Sequence, residues 1–260
     1  MENSLENMVL GTIRTRRSVR AYSPEKVEEE KIQAILEAAV FAPSARNGQP
    51  WFFTVIENEG LLEEMNEATK SIMLSSGDEF LESRARREDF HVFHHAKTVI
   101  LVSGKEDHPS APVDCAAATE NMLLAAKSLG VASCWIGFVE LLFSSPKGEV
   151  YRKLLQIPEG YRPLWAVALG YALDYPGGSS SKEPERRRLD TVTSGGYPHG
   201  EWGRKSESPG SPPALLTVCP PLQSMSPVRP QSRRPSRLLP PKHCPANPQR
   251  FCSGPVELLR

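Results

Sequence analysis

The chain has 260 residues, and its 31 basic and 31 acidic side chains cancel to a formal charge of zero. The balance conceals two unlike parts: residues 1–190 carry 22 Lys and Arg against 28 Asp and Glu, whereas residues 191–260 carry 9 against 3. An acidic first part lacks the broad basic footprint of a nucleic-acid binder, no stretch of about 18 consecutive apolar residues offers a membrane span, and five cysteines without a CxxC pair supply neither a disulfide nor a zinc framework.

The division falls near Asp190, since only 8 of the 24 prolines precede Tyr175. About 190 residues are ample for one core, with roughly 70% of the unfolded surface buried at that size. Residues 1–190 are therefore read as one folded domain and residues 191–260 as a Pro-, Ser- and Arg-rich tail, expected to be disordered because it buries too little apolar surface to offset its ordering entropy. A shift of coding frame in this stretch would account for its foreign composition. Glu2 and Glu6 interrupt the first ten residues, so no secretory signal is expected. A cytoplasmic protein with reduced thiols is the expectation.

Taken in order, Leu5, Met8, Val9 and Ile13 have helical spacing and predict a first helix that delivers Arg14, Arg16, Arg17 and Arg20 at its C-terminal end. Ser23-Pro24-Glu25 reads as the start of a second helix, with an apolar stripe of Val27, Ile32, Ile35, Leu36, Ala39 and Val40 that stops before Pro43. Residues 51–58, WFFTVIEN, are β-branched and aromatic and predict a buried strand. Residues 60–75 are again helical, and residues 76–95 turn polar and poorly periodic. His91, His94 and His95 have no carboxylate or cysteine at a spacing suited to a closed metal site, so they are read as facing solvent or substrate.

Residues 98–103 predict a second strand, and residues 112–129 a long helix closed by Gly130. The small side chains Cys115, Ala116, Ala117 and Ala118 allow another helix to approach closely, within the domain or across a dimer. Residues 131–138, VASCWIGF, form a strand running into Gly137, with Cys134 as a small core residue. Residues 146–157 predict a last helix and residues 161–171 a last strand. No GxGxxG follows a strand, which disfavours a Rossmann dinucleotide site.

Two segments carry the polar chemistry. Arg14, Arg16, Arg17, Ser18 and Arg20 form a compact cluster that suits a phosphate, although a solvated basic patch has the same composition. APSARNGQPW, residues 42–51, is a turn pinned between a helix and a strand, with Ser44, Arg46, Asn47 and Gln49 presented outward; an ordinary connection would look similar.

Together RRSVR, PSARNGQPW and GVASCWIG, in this order, resemble the FMN-dependent nitroreductase family over about residues 5–171. The resemblance implies an α+β fold, a central and mostly antiparallel sheet flanked by helices. It implies FMN as cofactor, with Arg16, Arg17, Ser18 and Arg20 at the ribityl phosphate and pyrimidine edge. Pro43, Ser44, Asn47 and Gln49 would line the flavin, partly from a partner subunit, and Trp135, Ile136 and Gly137 would lie against the ring. Arg187, among Arg186, Arg187 and Arg188, would reach the phosphate from a C-terminal arm. The polar insert at residues 76–95 would cover the flavin and set substrate preference.

The implied activity is NAD(P)H-dependent reduction of a small-molecule acceptor, a nitroaromatic or quinone, by a ping-pong cycle in a homodimer, without nucleic acid or membrane. Flavin chemistry explains why no nucleophilic triad is needed. A flavoenzyme of the same fold with another activity, such as reductive dehalogenation, and a non-enzymatic phosphate- or RNA-binding module are the alternative classes. Arg16→Ala is expected to weaken FMN binding about tenfold or more, a charge-assisted bond being worth roughly 1.5–3 kcal/mol. Flavin retained after dialysis reads this, and unchanged occupancy would remove Arg16 from the phosphate site.

Overall fold

The computed structural model describes residues 7–173 and 256–259. The reading of the intervening tail, including Arg187, lies outside the described residues. The elements run α1 (Met8–Thr15), α2 (Glu29–Val40), a 3-10 turn (Ala45–Asn47), β1 (Trp51–Ile56), α3 (Glu59–Leu74) and α4 (Glu79–Ala85). They continue with β2 (Thr98–Lys105), α5 (Ala111–Ser128), β3 (Ala132–Ile136), α6 (Val139–Phe143), α7 (Gly148–Leu154), β4 (Tyr161–Gly170) and β5 (Val256–Leu259).

Side-chain caps set three of the helix starts. Asn7, Asn58 and Asp78 each accept the N–H three residues on, at 3.0, 2.9 and 2.9 Å, and open α1, α3 and α4. Pro112 opens α5 and Gly130, at φ +74, closes it in a conformation that suits glycine.

The strands form one sheet in the order β3-β4-β2-β1-β5. β1 pairs antiparallel with β2 from Trp51↔Gly104 to Ile56↔Val99, and β4 lies antiparallel to both β2 and β3. Among the described strands, only β5 is parallel to its neighbour, β1. Pro163 in β4 lacks the N–H a central strand needs, and the β2–β4 register shifts beside it, between Val102 and Ser103.

The inner strands are covered on both faces, so β1 and β2 read as continuous apolar runs rather than alternating ones. Ile100, Val102, Val167 and Leu169 face one core, filled by Ile32, Ile35, Leu36 and Met122 from α2 and α5. Val99, Leu101, Ala166 and Ala168 face the other, filled by Met65, Met73, Phe93 and Leu142. This is the antiparallel sheet between helical layers that the sequence implied.

Several boundaries differ from the sequence reading. The second helix starts at Glu29 rather than at Ser23, because the chain there is engaged in pairing: Tyr22 bridges Ala172, and Ser23 donates its N–H to the Tyr171 carbonyl at 2.8 Å. The helix expected over residues 146–157 is confined to Gly148–Leu154 and preceded by the short α6, which was not foreseen. Val256–Leu259, part of the tail read as disordered, form a strand. The small face of α5 is used inside the domain: Ala118 and Ala126 are fully buried in the core shared with α2.

Ile35 is 0% exposed on the α2 face of that core. Ile35→Ala is expected to lower unfolding stability by about 2–5 kcal/mol, the cost of transfer plus a residual cavity, read as a lower urea midpoint. A loss under about 1 kcal/mol would mean that α2 is loosely held.

Candidate functional site

The arginine run lies where α1 ends and the chain docks on the edge strand β3. Arg16 closes the helix with its N–H on the Thr12 carbonyl. Ser18 then pairs with Ser133 in a parallel bridge, and Val19 donates its N–H to the Ser133 carbonyl at 3.0 Å. Main-chain bonds thus fix the segment. Arg17 folds its guanidinium onto the carbonyls of Arg14 and Arg16, at 2.7 and 2.8 Å, and Arg16 stands 3.9 Å from Glu120 of α5. Among the described residues, no ion pair engages Arg17 or Arg20.

Arg16, Arg17, Lys127, Gly130 and Ser133 line a cavity of about 410 Å³. Three cations and a serine around that space fit a phosphate. Beside it, Trp135 and Ile136 turn their side chains inward, Trp135 to the Trp165 ring at 4.9 Å and Ile136 into the core at 3% exposure. They therefore offer main chain rather than side chain to a ligand. Gly137 is exposed, and a Cβ there would meet no described atom within 4 Å. Nothing in the chain's own packing requires glycine, whereas a flat ring laid on the main chain would.

The second predicted segment forms a separate group. Pro43 is exposed, as are Asn47 and Gln49, and Ser44 is half-buried. Arg46, Asn47 and Gln49 all have positive φ, 54, 54 and 43°, a conformation costly for side-chain-bearing residues. Hydrogen bonds hold it: Ser44 Oγ accepts the Gln49 N–H at 3.1 Å, Gln49 Nε2 donates to Asn47 Oδ1 at 3.0 Å, and Asp114 accepts the Ala45 N–H at 3.1 Å. A Cβ at Gly48 would stand 2.5 Å from His108 Nε2, so a larger residue there would displace the His108 ring.

Within one chain these groups do not meet. The turn is anchored at Asp114, in the first turn of α5, while the arginine cavity includes Lys127 near its end. Thirteen residues of helix separate the two by about 20 Å along the axis. Sequence reasoning missed Asp114, Lys127 and Ser133. A buried acid in the otherwise small-residue start APVDCAAA was the available signal for the first.

Cys134 is a core residue, as expected: it is 2% exposed, and burial raises its thiol pKa. Of the three histidines, His91 departs from its reading, His94 is half-buried and His95 is exposed as expected. His91 is buried, not facing solvent; its Nδ1 accepts the N–H groups of Phe93 and His95 at 3.0 and 3.3 Å, and its Nε2 meets Glu63 at 3.3 Å. That network assigns the neutral tautomer protonated on Nε2. No metal-holding group of side chains occurs among the described residues. His94 and His95, at φ 55 and 57°, follow in a tight left-handed turn. Burial, then the charge of Arg20, and then His91, Arg84 and His95, push the His94 pKa down to about 4.

Residues 13–171 match the model of the Nitroreductase family. A nitroreductase from Bacteroides fragilis, solved with bound FMN, is 38% identical, with a TM-score of 0.66 over 73% of this chain and 100% of that one. A second, from Desulfitobacterium hafniense and also with bound FMN, is 32% identical, with a TM-score of 0.67 over 73% and 99%. The FMN reductase (NAD(P)H) of Bacillus subtilis is 26% identical over 186 residues, 68% of this chain and 70% of that protein.

A depressed histidine pKa means that the unfolded chain binds more protons between the folded value, about 4 for His94, and the unfolded value, about 6.5. The stability due to His94 is therefore present above pH 6.5 and lost as pH falls towards 4. His94→Asn, which tolerates the left-handed backbone, is expected to lose less stability than the wild type between pH 7 and 4.5, read from urea midpoints. Parallel losses would show that His94 titrates normally.

Proposed function

Because the chain belongs to the nitroreductase family, we propose that it is an FMN-dependent oxidoreductase that uses NAD(P)H to reduce nitroaromatic or quinone-type acceptors by a ping-pong mechanism. The observation that carries this reading is the cluster of cations docked at the start of β3, the strand that runs on to the bare main chain at Gly137. When bound, FMN would supply the redox chemistry, hydride acceptance from a nicotinamide and electron delivery to an acceptor.

The chain's own residues bind, orient and exclude water. Arg16, Arg17, Ser18 and Arg20 hold the phosphate and the pyrimidine edge, where positive charge favours the added electrons. The main chain at Trp135, Ile136 and Gly137 would carry the ring. Arg187, outside the described residues, is proposed to reach the phosphate from the C-terminal arm. Cytoplasmic residence is part of the same reading and is supported by the two free, buried thiols Cys115 and Cys134.

The working unit is proposed to be a homodimer. Pro43, Ser44, Asn47 and Gln49 stand about 20 Å along α5 from the arginine cavity, so they would serve the cofactor bound by a second copy. A preformed apolar surface supports the pairing. Helix α1 buries none of its residues: Met8, Val9 and Ile13 are 89, 66 and 49% exposed, and Met8 and Val9 line a groove shared with Ala38 of α2 and Leu124 and Ala125 of α5. Soluble monomers rarely leave such a stripe uncovered.

The purified protein is expected to absorb as an oxidised flavoprotein, to bleach anaerobically with NADH or NADPH, and to give parallel double-reciprocal lines when a quinone is varied against the nicotinamide. Sedimentation at micromolar concentration is expected to show a dimer. A colourless protein would remove the flavin reading, and an active monomer would remove the shared site.

A further inference from the structure

The segment RARRED turns one arginine inward and two outward. Arg86 pairs with Glu82 at 2.5 Å and Arg87 with Asp89 at 2.7 Å, both on the surface. Arg84 does otherwise. Its guanidinium carbon lies 5.5 Å from the Phe80 ring, 5.8 Å from Phe90 and 5.5 Å from Phe138, and among the described residues no ion pair engages it. Phe90 and Phe138 also meet edge to face at 5.9 Å, which fixes two walls of the nest.

Phe138 directly follows Gly137, so the nest adjoins the exposed main chain on which a flat ring is proposed to rest. His94 lies in the field of both Arg20 and Arg84 and is kept neutral there. The place is thus apolar-walled and positively charged, and among the described residues no carboxylate pairs with Arg84. A guanidinium held against aromatic faces keeps its in-plane N–H donors, which match a carboxylate in a planar, bidentate way.

We propose that Arg84 is the specificity-determining residue of the acceptor site and binds the acidic group of an aromatic acceptor, a nitroaromatic or quinone that carries a carboxylate. This rests on the flavoenzyme reading. The rings beneath Arg84, the buried Phe90 among them, hold its guanidinium in place, and the unpaired cation takes the charge of the acceptor. Discrimination against a neutral acceptor then comes from leaving the cation without its partner.

The test compares 4-nitrobenzoate with 4-nitrobenzyl alcohol on the wild type, Arg84→Gln and Arg84→Lys, all in the flavin-loaded state. The wild type is expected to prefer the acid by about tenfold or more in kcat/KM. Arg84→Gln is expected to raise KM for the acid by about tenfold, leaving kcat, flavin content and the neutral acceptor within about twofold, and Arg84→Lys to fall between. Calorimetric titration with benzoate, which is not reduced, is expected to show the same loss of affinity. Equal loss for both acceptors, no preference in the wild type, or a loss confined to the KM of the nicotinamide would overturn the assignment. Protein that holds no flavin would overturn the flavoenzyme reading instead, and benzoate binding that depends on Arg84 would still stand by itself.

Discussion

The candidate site depends on a few main-chain bonds between the segment after α1 and the edge of the sheet. Helix α1 buries none of its own residues, so packing alone cannot position the arginines that follow it. What does so is pairing: Ser18 with Ser133, Tyr22 with Ala172, and Leu173 donating back to the Ala21 carbonyl at 3.0 Å. Each such bond contributes only about 0.5–1.5 kcal/mol net. Together they bind one strap between β3 and the end of β4. The Tyr22 ring closes over Gly170, where a Cβ would come within 2.7 Å of it, and its hydroxyl donates to the Val19 carbonyl at 2.8 Å. The position of the cations is therefore a property of the sheet rather than of the helix that precedes them.

The turn at Ala45–Asn47 obeys a different logic. Backbone strain of roughly 1–3 kcal/mol per left-handed residue persists only where the surroundings over-determine it. Here Asp114 determines it from beneath, through a bond to the main-chain N–H of residue 45, which every residue but proline supplies. The exposed Asn47 and Gln49 are thus held in place before any ligand arrives, which lowers the entropic cost of recognition.

Much of this was legible in the sequence because it is local. Strands β1 and β2 are recognisable from β-branched and aromatic runs, β4 from its apolar stretch, α2 and α5 from their apolar residues and bounding Pro and Gly, and both site segments from dense functional side chains. What was not legible depends on distant partners. The start of α2 moved to Glu29 because Ser23 is claimed by Tyr171, nearly 150 residues away, and no cap signal reports that. His91 looked like a solvent-facing member of a polar insert, yet Asn66 and Glu63 of α3 draw the segment into the core: Asn66 Oδ1 accepts the Val92 N–H at 2.9 Å. Nothing within FHVFHH itself encodes that.

Strand β5 has a consequence for colloidal behaviour. A sheet with exposed rims is a template for strands from other molecules, and native proteins cover such rims or keep them short. Here one rim, β3, carries the Ser18 bridge, and the other, the six-residue β1, would lie bare but for Val256–Leu259. β1 is WFFTVI, uncharged, aromatic and β-branched, the composition from which cross-β stacks are built. The last residues of the chain thus act as a stopper on an aggregation-prone rim, and a proteolytic product ending before Val256 would be prone to associate through strands while its cofactor-binding residues remained intact.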